Sequence, residues 1–159
     1  MTDKRPVLLA TDGSPSAEDA QRDAIELAHT LGARLVVVSV AHLALPTVGY
    51  GGYGYSNLVA ELTDGEHKRV EKLLESVADA ANAAGVSCST VALDGIAVEE
   101  ISQKAVDYDA RLIVVGSHGW GAARRFFSGS VSTGLVHSAP CPVLVVRSPQ
   151  QANEHVKAA

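Results

Sequence analysis

Four short runs rich in β-branched residues, Val7–Ala10, Leu35–Ala41, Leu112–Val115 and Val143–Val146, recur along the chain with stretches of helical periodicity between them. A strand with one wet face would carry a polar residue at every second position. These runs are nearly continuous in their apolarity, which marks strands covered on both faces by helices. A fifth run, Val86–Leu93, alternates more and is expected nearer a sheet edge. Strand, helix, strand in that order implies an α/β fold built on a parallel sheet with right-handed crossovers. At 159 residues and 47% apolar, the chain is long enough to bury such a core as a single domain.

The helices carry their own punctuation. Ser14 reads as an N-cap with Pro15 at the first helical position, Ala20, Ala24, Leu27, Ala28 and Leu31 follow at helical spacing, and Gly32 closes the helix. A second helix is predicted from Asn57 to Ala84, with Val70, Leu73, Leu74, Val77 and Ala81 on one face and Gly85 at its end. A third is predicted over Val98–Val106 and a fourth over Ser130–Ser138. The segment 43–56 breaks the pattern with Pro46, four glycines and three tyrosines, and reads either as a plain connector or as a lid over a ligand.

Charge and cysteine usage narrow the partners. A net charge of −5 lacks the basic footprint of a nucleic-acid-binding domain, and no stretch approaches the roughly 20 apolar residues of a membrane helix. Cys88 and Cys141 have no C-x-x-C spacing, and the six histidines form no cluster with them, so neither a disulfide framework nor a structural zinc site is expected. A reducing cytoplasmic setting is the default expectation. The segment 148–159 reads as a polar tail following a core of about 5–147.

In open parallel sheets, ligands bind beyond the carboxyl ends of the strands, so the residues that follow each strand matter most. Thr11-Asp12-Gly13-Ser14 follows the first run, and Gly116-Ser117-His118-Gly119 follows the fourth, leading to Gly129-Ser130-Val131-Ser132 at a helix start. The second cluster reads as a phosphate cradle. Gly116 and Gly119 permit backbone turns that aim N–H groups inward, and the helix start after Gly129 presents free N–H groups and a positive dipole end. Ser130 and Ser132 add hydroxyls, while Arg124, Arg125 and His118 are candidate phosphate contacts. Glycines are common in loops for steric reasons, and a plain loop remains the alternative. The chain has no G-x-x-x-x-G-K-[ST], and no G-x-G-x-x-G follows the first strand, so P-loop and NAD-type sites are excluded.

Gly116-x2-Gly119-x9-Gly129-Ser130 resembles the nucleotide-binding motif of the universal stress protein family. The opening Val7-Leu8-Leu9-Ala10-Thr11-Asp12-Gly13-Ser14 and the closing Ala139-Pro140-Cys141-Pro142-Val143-Leu144-Val145-Val146 extend that resemblance from about Arg5 to Arg147. The resemblance implies a Rossmann-like five-stranded parallel sheet of order 3-2-1-4-5, a homodimer formed through the last strand, and ATP binding in members that carry the motif. It also implies that Asp12 lies near the ribose, phosphates or a nucleotide-borne Mg2+ or Mn2+, and that Thr11 belongs to the same site. The backbone at Val40 would meet adenine. Gly116, Gly119, Gly129, Ser130, Val131 and, more weakly, Ser132 would wrap ribose and phosphates. For Asp12 the residues alone also allow an Asx-type turn capping the first helix.

Four activities follow from this reading. The leading one is an ATP-binding stress or signalling dimer. A slow ATPase or autophosphorylating enzyme is the second, though the sequence offers no Walker lysine and no evident water-activating carboxylate beside the glycines. The others are an AMP- or cyclic-AMP-binding protein and a nucleotide-independent interaction module. The dimer expectation has a physical basis of its own, because an apolar last strand Val143, Leu144, Val145, Val146 is a liability if left unpaired.

Overall fold

The computed structural model describes residues 4–41, 55–117 and 130–148. Along them run β1 (Val7–Ala10), α1 (Pro15–Leu31), β2 (Leu35–Ala41), α2 (Tyr55–Ala83), β3 (Cys88–Asp94), α3 (Ala97–Asp107), β4 (Leu112–Gly116), α4 (Ser130–Ser138) and β5 (Val143–Val146). The strands form one parallel sheet in the order β3-β2-β1-β4-β5. Both the alternation and the strand order match expectation. Glycine- and tyrosine-rich residues 42–54 lie outside the described residues, as do 118–129 and 149–159.

Side chains alternate across the sheet and divide the core in two. On one face Val7, Leu9, Leu35, Val37 and Val114 meet Ala20, Ala24 and Ala28 of α1 and Val70, Leu74, Val77 and Ala81 of α2. On the other, Leu8, Val36, Val38, Ile113 and Val115 meet Ile101 and Ala105 of α3 and Leu135 of α4. Burying each large side chain of this kind stabilises the fold by about 1.5–3 kcal/mol. The central strands β1 and β2 are buried almost throughout, whereas β3 and β5 alternate and form the two outer strands.

Three helix ends use one device. After α1, Gly32 (φ 60°) donates to the His29 carbonyl and Ala33 to that of Ala28. After α2, Gly85 (φ 75°) donates to Asn82 and Val86 to Ala81. After α3 the same pair of bonds runs from Asp109 to Val106 and from Ala110 to Ala105, with Asp109 at φ 49° where the other two helices place glycine. A left-handed residue lets the last carbonyls find donors.

Several boundaries differ from expectation. The helix predicted over Asn57–Ala84 runs Tyr55–Ala83, and that predicted over Val98–Val106 runs Ala97–Asp107. The strand predicted over Val86–Leu93 is Cys88–Asp94, because Val86 is buried in closing the end of α2. Ser14 is the N-cap residue of α1, with an extended backbone, but its side chain makes no capping bond. Ser148, assigned by sequence to the polar tail, is buried, and its hydroxyl donates to Asp19, which also pairs with Arg22.

Candidate functional site

The sheet order makes β1 and β4 neighbours, and the chain leaves them toward opposite faces. From β1 it turns into α1 on the first face, and from β4 it proceeds to α4 on the second. A crevice therefore opens at their carboxyl ends, which is where ligands bind in folds of this kind. Two helix N-termini, those of α1 and α4, belong to the elements that bound it.

The β1–α1 turn is tightly determined. Thr11 is buried, its N–H donates to the Val38 carbonyl at 3.0 Å, and its Oγ1 accepts from the Gly13 N–H at 3.3 Å. Asp12 Oδ1 accepts from the Ser14 N–H at 2.9 Å, the Asx turn that the residues allowed. Gly13 sits at φ +73°, and a Cβ there would lie 3.3 Å from Leu73 Cδ1 on α2. From α2, Arg69 also reaches over this turn, its Nη1 donating to the Asp12 carbonyl at 3.2 Å. No motif or periodicity signals that contact, because it joins residues far apart in the chain.

Val40 lies on β2 beyond the last bond between β1 and β2, which runs from the Thr11 N–H to the Val38 carbonyl. Backbone groups in a strand alternate sides, so those of Val40 point the same way as those of Val38, toward β1 but past its end. Its side chain packs into the second core cluster. A residue that looks like core thus presents its backbone at the crevice.

Gly116 ends β4, and its lack of a side chain has a steric cause. A Cβ would come 2.6 Å from Ser16 Oγ and 2.8 Å from the Ser16 backbone C and O, so α1 closes on β4 only over glycine. Gly116 is expected to permit a backbone turn that aims N–H groups inward; among the described residues it has no positive φ, and its absent side chain is instead what lets Ser16 approach. The next residue, Ser117, is buried; its N–H donates to the Val146 carbonyl and its own carbonyl accepts from Ser132 Oγ at 3.3 Å. That bond ties the start of α4 to the end of β4. Ser130 is exposed at the helix start, Val131 packs partly into the second core cluster, and Ser132 is buried. Thr11, Asp12, Val40, Gly116, Ser130, Val131 and Ser132 therefore all belong to strand ends, or to turns and helix starts, on one rim. His118, Gly119, Arg124, Arg125 and Gly129 lie outside the described residues.

Charge around the rim is local. The Arg69 guanidinium is held further above its ordinary range by Glu66, which accepts two bonds from it at 2.7 and 2.8 Å, with Asp12 adding to the effect. On the outer side, His67 Nε2 lies 2.8 Å from Asp94 Oδ1, and that hydrogen bond raises the imidazole pKa. Cys141 and Cys88 sit away from the rim, and burial pushes both thiols up, against a reactive thiolate. Among the described residues no three His, Cys, Asp or Glu side chains group as metal ligands, and no helix is long and apolar enough to cross a membrane.

The comparisons with known proteins agree with this architecture. A universal stress protein of Thermus aquaticus is 37% identical over 144 residues, covering 90% of this chain and 98% of the relative. One from Methanocaldococcus jannaschii is 32% identical over 147 residues, covering 92% and 84%. Among solved structures, UspA from Lactobacillus plantarum superposes with a TM-score of 0.79 at 24% identity, covering 91% of this chain and 98% of that one. Two others share the fold at lower scores. A universal stress protein in complex with cAMP has a TM-score of 0.61 at 23% identity, over 91% and 97% of the two chains. The Archaeoglobus fulgidus protein in complex with dAMP has a TM-score of 0.61 at 23% identity, over 92% and 99%. Residues 4–147 match the Universal stress protein family as a whole, and the chain belongs to that family.

Proposed function

We propose that this protein binds an adenine nucleotide, with ATP as the leading ligand, in the crevice between β1 and β4, and that it acts as a nucleotide-dependent stress or signalling homodimer. The observation that carries the reading is the convergence of Asp12, the Val40 backbone, Gly116 and the Ser130–Ser132 helix start on one rim of the sheet. Backbone N–H and C=O groups at Val40 can read an adenine edge without a dedicated side chain. The start of α4 offers N–H groups to a phosphate. Gly119 and Gly129 would complete the cradle, with His118, Arg124 and Arg125 as further phosphate contacts.

An AMP- or cyclic-AMP-type ligand is the second reading, favoured by the fold relatives solved with cAMP and dAMP. Among the described residues a Mg2+ or Mn2+ ion fits only as cargo of the phosphates. Asp12 is a single carboxylate with one oxygen already accepting from Ser14, and such ions are held by one or two carboxylates plus phosphate and water. Any hydrolysis would be slow, and the protein is read as a binder.

The homodimer is proposed through β5. That strand is an outer one, Leu144 is 39% exposed on it, and pairing with a second copy about a two-fold axis would cover it. The testing experiment denatures freshly purified protein and identifies the released small molecules by chromatography with mass detection, beside Gly129→Val. ATP or ADP near one equivalent, absent from the variant, supports the leading reading. AMP or cAMP selects the second. An empty protein that also ignores added ATP with Mg2+ leaves a nucleotide-independent module. Sedimentation at micromolar concentration, with Leu144→Lys as the variant, tests the dimer, and a monomeric parent protein would refute it.

A further inference from the structure

Arg69 is a residue that neither composition nor motif singles out, yet its whole fork is engaged. Nε and Nη2 donate to the two oxygens of Glu66 at 2.8 and 2.7 Å, and Nη1 donates across to the carbonyl of Asp12 at 3.2 Å. Glu66, Arg69 and Leu73 succeed one another on one side of α2, and Leu73 meets Gly13 in the same turn. The Asp12 carboxylate is held in turn by the Ser14 N–H. A chain of contacts therefore runs from Glu66 through Arg69 to the backbone of Asp12 and on to its side chain.

We infer that Arg69 is a positioning residue for the nucleotide site, fixing the Asp12 turn from α2 rather than touching the ligand. This rests on the function proposed above. Charge favours positioning over direct phosphate attraction, since Arg69 is paired with the Glu66 carboxylate and also feels the negative charge of Asp12, and the three side chains together carry a net negative charge. A planar fork serves both neighbours at once, and a lysine ammonium cannot reproduce it.

The test measures adenosine, AMP and ATP binding to the full-length protein by calorimetry, and the hydrogen exchange of the Ser14 amide without ligand, for the parent protein, Arg69→Gln and Arg69→Lys. Both variants are expected to weaken all three ligands by one common factor of about tenfold, the scale of a single hydrogen bond to a charged group. Both are also expected to speed Ser14 amide exchange. A loss that grows with phosphate number and is rescued by lysine would overturn the inference in favour of direct charge. Unchanged Ser14 exchange would overturn it whatever the ligand result. A parent protein that binds none of the three would defeat the proposed function instead, and the exchange measurement would still decide the role of Arg69.

Discussion

The two sides of the crevice are built on different terms. On the β1 side, four residues carry the chain from strand to helix, and nearly every group in them has a defined partner: Thr11 with Val38 and Gly13, Asp12 with Ser14 and Arg69, Gly13 against Leu73. On the β4 side, strand and helix are joined at the base by the bond from Ser132 to Ser117, and the glycine motif spans the interval between them. On the function proposed above, the first side is specified by folding contacts and the second by what a ligand needs. Substitutions on the two sides should therefore separate stability from binding, and Gly116 tests the boundary because it belongs to the motif yet packs like core.

The largest effect is expected there. Gly116→Val forces a branched side chain into the backbone of Ser16 and should cost roughly 3 kcal/mol in urea denaturation. Gly129→Val should leave the urea midpoint nearly unchanged while abolishing nucleotide binding. Equal stability losses in the two would erase the distinction. Next comes Gly13→Ala, which combines a left-handed backbone with a close approach to Leu73 and should cost about 1–2 kcal/mol by the same measurement. A loss below a few tenths would mean that the β1 turn is not fixed as described.

A smaller effect with the opposite sign is expected away from the crevice. Asp109→Gly relieves a left-handed non-glycine residue and should gain about 0.5 kcal/mol in thermal unfolding, leaving binding untouched. The smallest concerns pH. His67 has its pKa raised above 6.5, first by the hydrogen bond to Asp94, so its contribution is complete below pH 6.5 and is lost as pH rises through the folded-state value. The parent protein should melt slightly lower at pH 8 than at pH 6. His67→Gln should flatten that part of the profile, and an unaltered profile would dismiss the link between α2 and the end of β3.

Much of this was legible in the sequence, for identifiable reasons. Continuous β-branched runs mark strands covered on both faces, and β1, β2 and β4 are so covered; Val143–Val146 carries the same signal and is a strand, but as an outer one it leaves Leu144 exposed, because sheet position is not written in the run itself. Ser14, Pro15 and Gly32 punctuated α1 because cap geometry demands those residue types. The run from Val86 misled because periodicity cannot tell a strand's first residue from an apolar residue closing a helix end. Asp109 gave no sign because only the backbone reveals a left-handed aspartate. Motif spacing and position after the strands singled out the proposed site residues, but the packing reason for Gly116 was not legible, since Ser16 is brought to it by tertiary packing alone. Arg69 was hidden for the same reason.

That contact between Gly116 and Ser16 has a consequence for electrostatics. By presenting no side chain, position 116 acts as a spacer of minimal thickness between the sheet and the first turn of α1, and so sets how near the positive end of that helix stands to the crevice. The field of a helix end fades within about one turn. In a protein of net charge −5, the attraction available to an anion is thus governed in part by a position that contributes no side-chain atom.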